Sequence, residues 1–198
     1  MDLFTTLFST GWASGVNAYA TVALLGILGR AGLGDVPEPI QSDPAIAAAS
    51  IMYLIEFVTD KIPYLDNIWD AIHTVVRPSI ASVIGALYGT DADLGGLEEA
   101  FAAGGSGATA LASHGVKAAL RLAINTSPEP ASNIFVSLAE DGAVAGVILL
   151  VVEQPVIAAV ITGFLLVSGI ALVVLIAKRI RRGLARWRDR RSGAPPAN

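Results

Sequence analysis

The chain has 198 residues, of which 54% are hydrophobic and only 15% are charged. Soluble domains carry about 25% charged residues, so this composition excludes an ordinary water-exposed globule, and its hydrophobicity also excludes a disordered chain. Cysteine is absent, which excludes a disulfide scaffold, a thiolate metal site and a cysteine nucleophile. The composition indicates an all-α, polytopic helical membrane protein.

The net charge of −4 conceals an uneven distribution of charge. Residues 178–191 include eight basic residues and one acid, whereas residues 1–177 include five basic residues and sixteen acids. A domain that binds nucleic acid through its body would be basic, so no nucleic-acid partner is expected. An acidic body with a basic tail fits the positive-inside rule. We predict a single transmembrane domain over 1–177 and a basic cytoplasmic tail over 178–198.

Six apolar segments follow one another in the domain. A hydrocarbon core about 30 Å thick requires about 20 apolar residues in a helix. The clearest segment, 156–177, has no charge and is followed at once by Lys178 and Arg179, which predicts a cytoplasmic C-terminus. The five earlier spans are predicted near 11–33, 44–58, 68–88, 100–124 and 134–152.

Six crossings would place both termini on the same side of the membrane. The segments 34–43 and 91–99 contain acids and no base, so we expect both to face outward. The segments with Lys61, and with Lys117 and Arg121, should lie toward the cytoplasm. The first residues have no basic n-region, so we expect no cleaved signal peptide, and we expect the protein in a bacterial cytoplasmic membrane.

The two halves of the domain, 1–90 and 91–177, resemble each other weakly. Pro-Glu-Pro occurs at 37–39 and at 128–130, and the segment 78–84 is similar to 155–161. Three crossings in each half would place the second half upside down, as in the inverted repeats of secondary transporters. The alternative is chance similarity between apolar segments rich in Ala, Ile, Val and Pro.

Ionisable residues lie inside the apolar segments. A charge at the centre of a membrane helix costs about 2.5–3.5 kcal/mol, so it normally faces protein or water. Glu56 and Asp60 are four residues apart and share one helix face. Spacings of three and four predict an acidic stripe on the third helix and a basic stripe on the fourth. These stripes are Asp66, Asp70, His73 and Arg77, and His114, Lys117 and Arg121.

Two interpretations of the stripes stay open. They can line a polar cavity, in which carboxylates bind a cation or shuttle protons, histidines titrate near neutral pH, and Lys117 and Arg121 hold an anion. They can instead pair with one another and lock the helices together. Asp66, Asp70 and His73 could also ligate a hard metal ion, although Arg77 would oppose a cation there. Whether the protein binds a metal ion therefore stays open, and no cofactor is predicted.

Glycines mark two corresponding places in the halves. Gly15 and Asn17 lie in the first span, and 104–107, which holds three glycines, lies in the fourth. Such interruptions permit unwound backbone whose free N–H and C=O groups can bind ions or substrates. Close helix packing is the alternative, because Gly11 and Gly15 form a small-xxx-small pattern.

Three strings carry a resemblance to a known family: residues 14–19, Asp60-Lys61-Ile62-Pro63, and 125–133 with Ser-Pro-Glu-Pro. With these strings, the segment from about 10 to 175 resembles the bacterial membrane family catalogued as domain of unknown function 4126. The resemblance implies a multi-helix membrane protein and names no substrate. It also gives weight to Asn17, Tyr19, Asp60, Lys61 and the loop 127–133.

We predict a small transporter or channel for an ion or small charged solute, working as a homo-oligomer in the lipid bilayer. The alternative is a structural or assembly subunit that docks partner membrane proteins. An enzyme acting on lipid phosphates, with Asp70 or His73 as base, is less favoured because no nucleophile elbow, P-loop or dinucleotide fingerprint is present. The predicted binding residues are Asn17, Tyr19, Glu56, Asp60, Lys61, Asp66, Asp70, His73, Arg77, His114, Lys117, Arg121 and Glu129.

Overall fold

A computed structural model describes residues 2–126 and 130–191. These residues form six α-helices and one short 3-10 helix, Glu38–Gln41, and no strand, which confirms the all-α fold. The α-helices are α1 (Leu3–Arg30), α2 (Asp43–Thr59), α3 (Leu65–Asp91), α4 (Gly96–Ile124), α5 (Pro130–Glu153) and α6 (Pro155–Arg191).

Each predicted span corresponds to one helix, although the bounds differ. Among the described residues, α1, α3, α5 and α6 are long and apolar enough to cross a membrane, as expected of a membrane protein. α2 has 17 residues, and α4 has 29 residues with charged groups near both ends. α6 continues past the predicted boundary at 177, because the basic tail extends the helix to Arg191.

Helices α3 to α6 run alternately up and down. At one end of the α3–α4 pair, Gly85 packs on the backbone of Ala102, and at the other end His114 contacts Thr74. α6 runs parallel to α4, since residues 165–169 line one cavity with 113–120, and residues 173–180 line another with 119–126. The connections 31–42, 92–95 and 154 therefore lie at one end of the bundle, here called the acidic end. The connection 60–64 and residues 125–126, which follow α4, lie at the other end, here called the tail end.

α1 does not follow this alternation, because it turns back at Asn17. Asn17 has extended backbone angles, φ −150° and ψ 98°, inside an otherwise helical segment. The first half of α1 begins with Leu3 in the same groove as Leu94 of the α3–α4 connection. The loop after the second half packs Gly34 on Val152, close to the α5–α6 connection. α1 is therefore a helical hairpin with both ends at the acidic end.

This arrangement differs from the predicted six crossings. A helix of 28 residues that meets the length and composition of a membrane span can either cross or fold back, and its sequence composition is the same in both cases. The hairpin places Leu3 and the end of α6 at opposite ends of the bundle, whereas six crossings would place them together.

Small side chains bring the helices of this bundle close together. α1 packs against every other helix, and its Gly15 lies directly on Ser113 and Ala110 of α4. Gly107 of α4 lies in the same way on Ser82 of α3. These contacts support the close packing expected for the glycines. The expected interruption at 104–107 is not found, since α4 is continuous there.

The inverted repeat stays a prediction. α1 and α4 would be the corresponding first helices of the halves 1–90 and 91–177, but α1 reverses at Asn17 and α4 continues as one helix. The two helices therefore differ in shape. α6, the last helix of the second half, also extends into the predicted tail at 178–198 as far as Arg191.

The helical hairpin predicts the sidedness of labelling at three positions. Because the native chain has no cysteine, Asp2→Cys, Asp93→Cys and Arg188→Cys each provide a single reactive thiol. We expect an impermeant maleimide to label Asp2→Cys and Asp93→Cys from one side of a vesicle and Arg188→Cys from the other. Labelling of Asp2→Cys and Arg188→Cys from the same side would contradict the hairpin.

Gly15 and Gly104 are a matched pair for the packing of α1 on α4. A Cβ at Gly15 would collide with the Ser113 hydroxyl and the Ala110 carbonyl, whereas a Cβ at Gly104 meets open space. We expect Gly15→Ala to lower the free energy of unfolding in detergent by about 1–3 kcal/mol. Gly104→Ala should raise it by about 0.5–1 kcal/mol. Equal effects of the two substitutions on thermal unfolding would refute this packing.

Candidate functional site

Ionisable side chains from four helices, α2 to α5, meet inside the tail-end half of the bundle. They meet because α2 and α4 end where α3 and α5 begin. Along α3 the group extends from Asp66 to Arg77, which is about 16 Å of helix, or half the hydrocarbon thickness. We call this group the buried charge cluster. Its fully buried members are Glu56, Asp60, Asp66, Asp70, His73, Arg77, His114, Lys117 and Arg121, and Glu140 and Asp141 of α5 complete it.

Arg77 of α3 connects four helices. Its guanidinium is fully buried and forms ion pairs with Glu56 at 2.8 Å and Asp70 at 3.1 Å. It also donates to Nδ1 of His114 at 2.7 Å and to the backbone carbonyl of Gly15 at 3.4 Å. The acidic stripe of α3 therefore provides its own central cation, and this cation binds α1, α2 and α4 at once.

Lys117 of α4 occupies the next position toward the tail end. Its ammonium lies 2.7 Å from Oδ2 of Asp60 and donates to the carbonyl of Val16 at 3.1 Å. Carboxylate oxygens of Glu56 and Glu140 lie 3.6 Å and 3.5 Å away. Lys117 thus has three acids and one backbone carbonyl around a buried ammonium.

Arg121 and Asp66 form the layer nearest the tail end. Arg121 binds Glu140 through two nitrogens, at 3.2 Å and 2.6 Å, which is the bidentate geometry that strengthens such pairs. Asp66 accepts two hydrogen bonds from Asn125, at 2.8 Å and 3.0 Å, and one from Asn133 at 3.4 Å. Arg121 is 3.7 Å from Asp66, so neutral amides are the nearest donors to this acid.

The surroundings of His114 define its protonation state. An arginine can only donate hydrogen bonds, so Nδ1 of His114, which is 2.7 Å from Arg77, is the acceptor. Nε2 of His114 then carries the hydrogen and donates to the carbonyl of Asp70 at 3.1 Å. His114 is therefore neutral in this arrangement and adds no positive charge to the cluster.

His73 lies at the side of the cluster, between α1 and α3. Its Nδ1 donates to the carbonyl of Trp69 at 2.8 Å, and its ring stacks on the Trp69 ring with centroids 4.4 Å apart. The hydroxyl of Tyr19 lies 2.9 Å from Nε2 and donates to it when the ring is neutral. Tyr19, which is half-buried, is thus linked to the cluster by its hydrogen bond with His73.

The break in α1 faces the cluster, and Asn17 stabilises it. The Oδ1 atom of Asn17 accepts from the backbone N–H of Ala20 at 2.9 Å, so Asn17 is the N-cap of the second half of α1. Its Nδ2 donates to Asp141 at 3.4 Å. The break also ends the first half of α1 at the carbonyls of Gly15 and Val16, and cations are favourable at a helix C-terminus.

Acids outnumber bases in the cluster. Six carboxyl groups, from Glu56, Asp60, Asp66, Asp70, Glu140 and Asp141, surround three cationic groups, from Arg77, Lys117 and Arg121. Asp141 forms no ion pair with the described residues and has one long hydrogen bond, from Asn17. Several buried oxygens accept no hydrogen bond from described protein groups. They are Oε2 of Glu56, Oδ1 of Asp60, Oδ2 of Asp70 and Oδ2 of Asp141.

Two other predicted residues lie apart from this arrangement. Lys61 is at the rim of the cluster, where its ammonium donates to the carbonyl of Phe57 at 2.8 Å and to Ser137 at 3.2 Å. It therefore donates to neutral groups of the protein, and its predicted part in binding an ion or substrate stays a prediction. Glu129 lies outside the described residues.

The described residues do not gather into a metal site, since no three His, Asp or Glu side chains converge there. Asp66, Asp70 and His73 share a face of α3, but each has a different partner. Asp66 binds amides, Asp70 pairs with Arg77, and His73 binds Tyr19. A shared helix face thus gives these three residues a spacing suited to metal ligands, but it does not bring their side chains to one point.

Four side chains of the cluster are absent from the predicted set. Glu140 and Asp141 interrupt the fifth apolar segment, and this is their signal in the sequence. Neighbouring helical positions point in directions about 100° apart, so the sequence could not show that both reach the same cluster. Asn125 and Asn133 lie at the ends of the string 125–133, where they appear as loop residues without charge.

Comparisons with known proteins identify the family of the chain but no function. A family model described as Domain of unknown function (DUF4126) matches residues 4–175, which include the whole buried charge cluster. No curated protein and no solved structure matches the chain. The family match agrees with the resemblance seen in the sequence strings.

The central position of Arg77 predicts a large stability effect. Arg77→Gln would leave Asp70 without an ion-pair partner among the described residues and Glu56 with Lys117 alone, at 3.6 Å. Breaking a buried pair in this way costs about 3–5 kcal/mol. We expect thermal unfolding in detergent to show that loss, and the double variant Arg77→Gln/Glu56→Gln to recover part of it. Lys178→Gln, in the exposed tail, is the control. A stable Arg77→Gln variant would contradict the assigned pairing.

Proposed function

The chain belongs to the DUF4126 family, and we propose that it carries protons across the membrane through the buried charge cluster. The observation that supports this proposal is the excess of carboxyl groups over cations at bilayer depth. An unpaired buried carboxylate is costly, and binding a proton removes its charge. Intramembrane acids of this kind characterise proton relays.

A proton fits the described geometry better than a metal ion. The unpartnered oxygens of Glu56, Asp60, Asp70 and Asp141 belong to side chains that do not converge on one point. A metal ion requires several ligands at one centre, whereas a proton requires one oxygen at a time. A proton can therefore reside on one acid at a time without a shared centre.

Asp141 is the proposed entry point for the proton. It is half-buried, unlike the fully buried Asp60 and Glu56, and it forms no ion pair with the described residues. From Asp141 the next acids are Glu140, its neighbour in the chain, and Asp60, which both approach Lys117. We infer that the proton moves among these carboxyl groups toward Arg77.

Beyond Arg77, small residues close the bundle toward the acidic end. Gly11 lies on the backbone of Ser106, and Gly15 and Gly107 lie on the hydroxyls of Ser113 and Ser82. Transport therefore requires a second state in which this packing opens. The α1 hairpin is the proposed moving part, because charged donors hold its broken end. Protonation of their acid partners would change those contacts.

The proposed orientation places the tail end in the cytoplasm. The basic residues of α6 follow its apolar part, and the positive-inside rule keeps such residues in the cytoplasm. The acidic end would then face outward, in a bacterial cytoplasmic membrane. Large apolar side chains on α6, such as Phe164 and Val167 with 71% and 67% exposure, are available to lipid or to a second copy of the chain.

A structural or assembly role is the second candidate, because the ion pairs and hydrogen bonds of Arg77, Lys117 and Arg121 join the five helices α1, α2, α3, α4 and α5. A cluster that only locks helices together would be expected to pair each acid, and Asp141 has no ion pair with the residues that the structure describes. The structural candidate predicts that partner proteins co-purify in fixed ratio, whereas the proton carrier works alone.

Proton flux into vesicles tests the proposal. The purified chain is reconstituted in liposomes that contain a pH-sensitive dye, and a potassium diffusion potential drives proton entry. We expect flux for the native chain and for Glu98→Gln, an exposed acid at the acidic end, and background flux for Asp141→Asn. Folded native protein without flux in either direction would refute proton transport, and fixed-ratio co-purification would then favour assembly.

A further inference from the structure

A cavity of about 260 Å³ lies beside the buried charge cluster, between α1, α4, α5 and α6. Its walls are almost entirely apolar, with Trp12, Val116 and Leu165 contributed by three different helices. The polar side chains that line it are Ser113, Lys117 and Glu140. The cavity thus has an apolar body and one charged end, which is the shape expected for an amphipathic ligand.

The cavity opens sideways, toward the lateral surface of the bundle. α4 and α5 make few contacts with each other, so a gap separates them where the cavity lies. Ala139 on the wall is exposed, and Ala143 and Leu165 are half-exposed. In a membrane this surface meets acyl chains, so a lipid-soluble molecule can reach Glu140 without passing through either end of the bundle.

Glu140 is the most accessible acid at the charged end. Its side chain is 17% exposed, compared with 4% for Asp60 and 0% for Glu56. Each of its oxygens accepts one hydrogen bond from Arg121, and a carboxylate oxygen has room for a second donor. Lys117 donates two of its three N–H groups to Asp60 and Val16. Carboxylate oxygens of Glu140 and Glu56 lie 3.5 Å and 3.6 Å from the same ammonium, so acceptors of the protein already surround this cation.

We propose that this cavity binds a cationic amphiphile, a protonated amine attached to a compact apolar body. The ammonium would donate to Glu140, and the excess of carboxyl groups in the cluster would attract a cation and repel an anion. A cavity of about 150 Å³ can hold benzene, so this one has room for a single ring with a short chain. The inference deepens the proposed function, on which its meaning for transport rests: the bound amine would compete with protons for the same acids.

Three probes of similar size separate the effect of charge from that of the apolar body. They are 2-phenylethylamine, 2-phenylethanol and phenylacetate, which are cationic, neutral and anionic at neutral pH. Binding to the full chain in detergent is measured by calorimetry against protein-free micelles. We expect the amine to bind about tenfold or more tightly than the other two, the gain of one charge-assisted hydrogen bond.

Two substitutions on α5 locate the binding site. Ala139→Phe adds a ring at the cavity wall without replacing a charged residue and should remove amine binding. Ala131→Phe, exposed on the same helix outside the cavity, is the matched control and should bind like the native chain. Glu140→Gln should bring the affinities of amine and alcohol together. If Glu140→Gln fails to fold, the Ala139 and Ala131 variants still decide the site.

Equal affinity for all three probes, tighter binding of phenylacetate, or amine binding that survives Ala139→Phe would each overturn this inference. Preference for phenylacetate would instead indicate an anionic ligand such as a lipid headgroup. Binding and proton flux are measured separately. Proton flux without amine binding would refute the cavity proposal alone, and amine binding without proton flux would refute the proposed proton transport alone.

Discussion

A charge buried at bilayer depth must have a partner, and the ion pairs of Arg77 are the interaction on which the rest of this structure depends. Water is absent from the hydrocarbon region, so an uncompensated guanidinium or carboxylate there is costly. Arg77 forms ion pairs with Glu56 of α2 and with Asp70 on its own helix, α3. It also donates hydrogen bonds to His114 of α4 and to the Gly15 carbonyl of α1. Three helices outside α1 are therefore fixed relative to one another through a single side chain, and the hairpin of α1 is docked onto them by the same group.

The break in α1 and the cations of the cluster stabilise each other. A helix that ends inside a membrane exposes carbonyls that would otherwise find no donor. Here the carbonyls of Gly15 and Val16 accept from Arg77 and Lys117, and Asn17 caps the half-helix that follows. In turn, the two cations gain acceptors beyond their carboxylate partners. The charged groups thus position the turn of the hairpin, and the hairpin stabilises the charges.

The two ends of the bundle have opposite characters. At the tail end, polar side chains form a continuous network in which six acids share three cations. Toward the acidic end, glycines such as Gly15 and Gly107 allow helices to touch backbone to side chain. Close packing of this kind resists small displacements, whereas a network with spare acceptor sites can change its protonation and its partners. The buried charge cluster lies on one side of this tightly packed region. Such an arrangement suits the proposed carrier, which alternates between two states, better than an open channel.

The sequence by itself determined the all-α membrane fold, the six helices, and the two stripes on α3 and α4, because spacings of three and four fix which residues share a helix face. It also determined the family, through strings such as Asp60-Lys61-Ile62-Pro63. Tertiary structure alone decided that α1 reverses at Asn17, since length and apolarity are identical for a crossing helix and a hairpin. It also decided that Glu140 pairs with Arg121, whereas Asp141 pairs with no cation in 2–126 or 130–188. Adjacent residues of a helix face different neighbours, and packing chooses those neighbours.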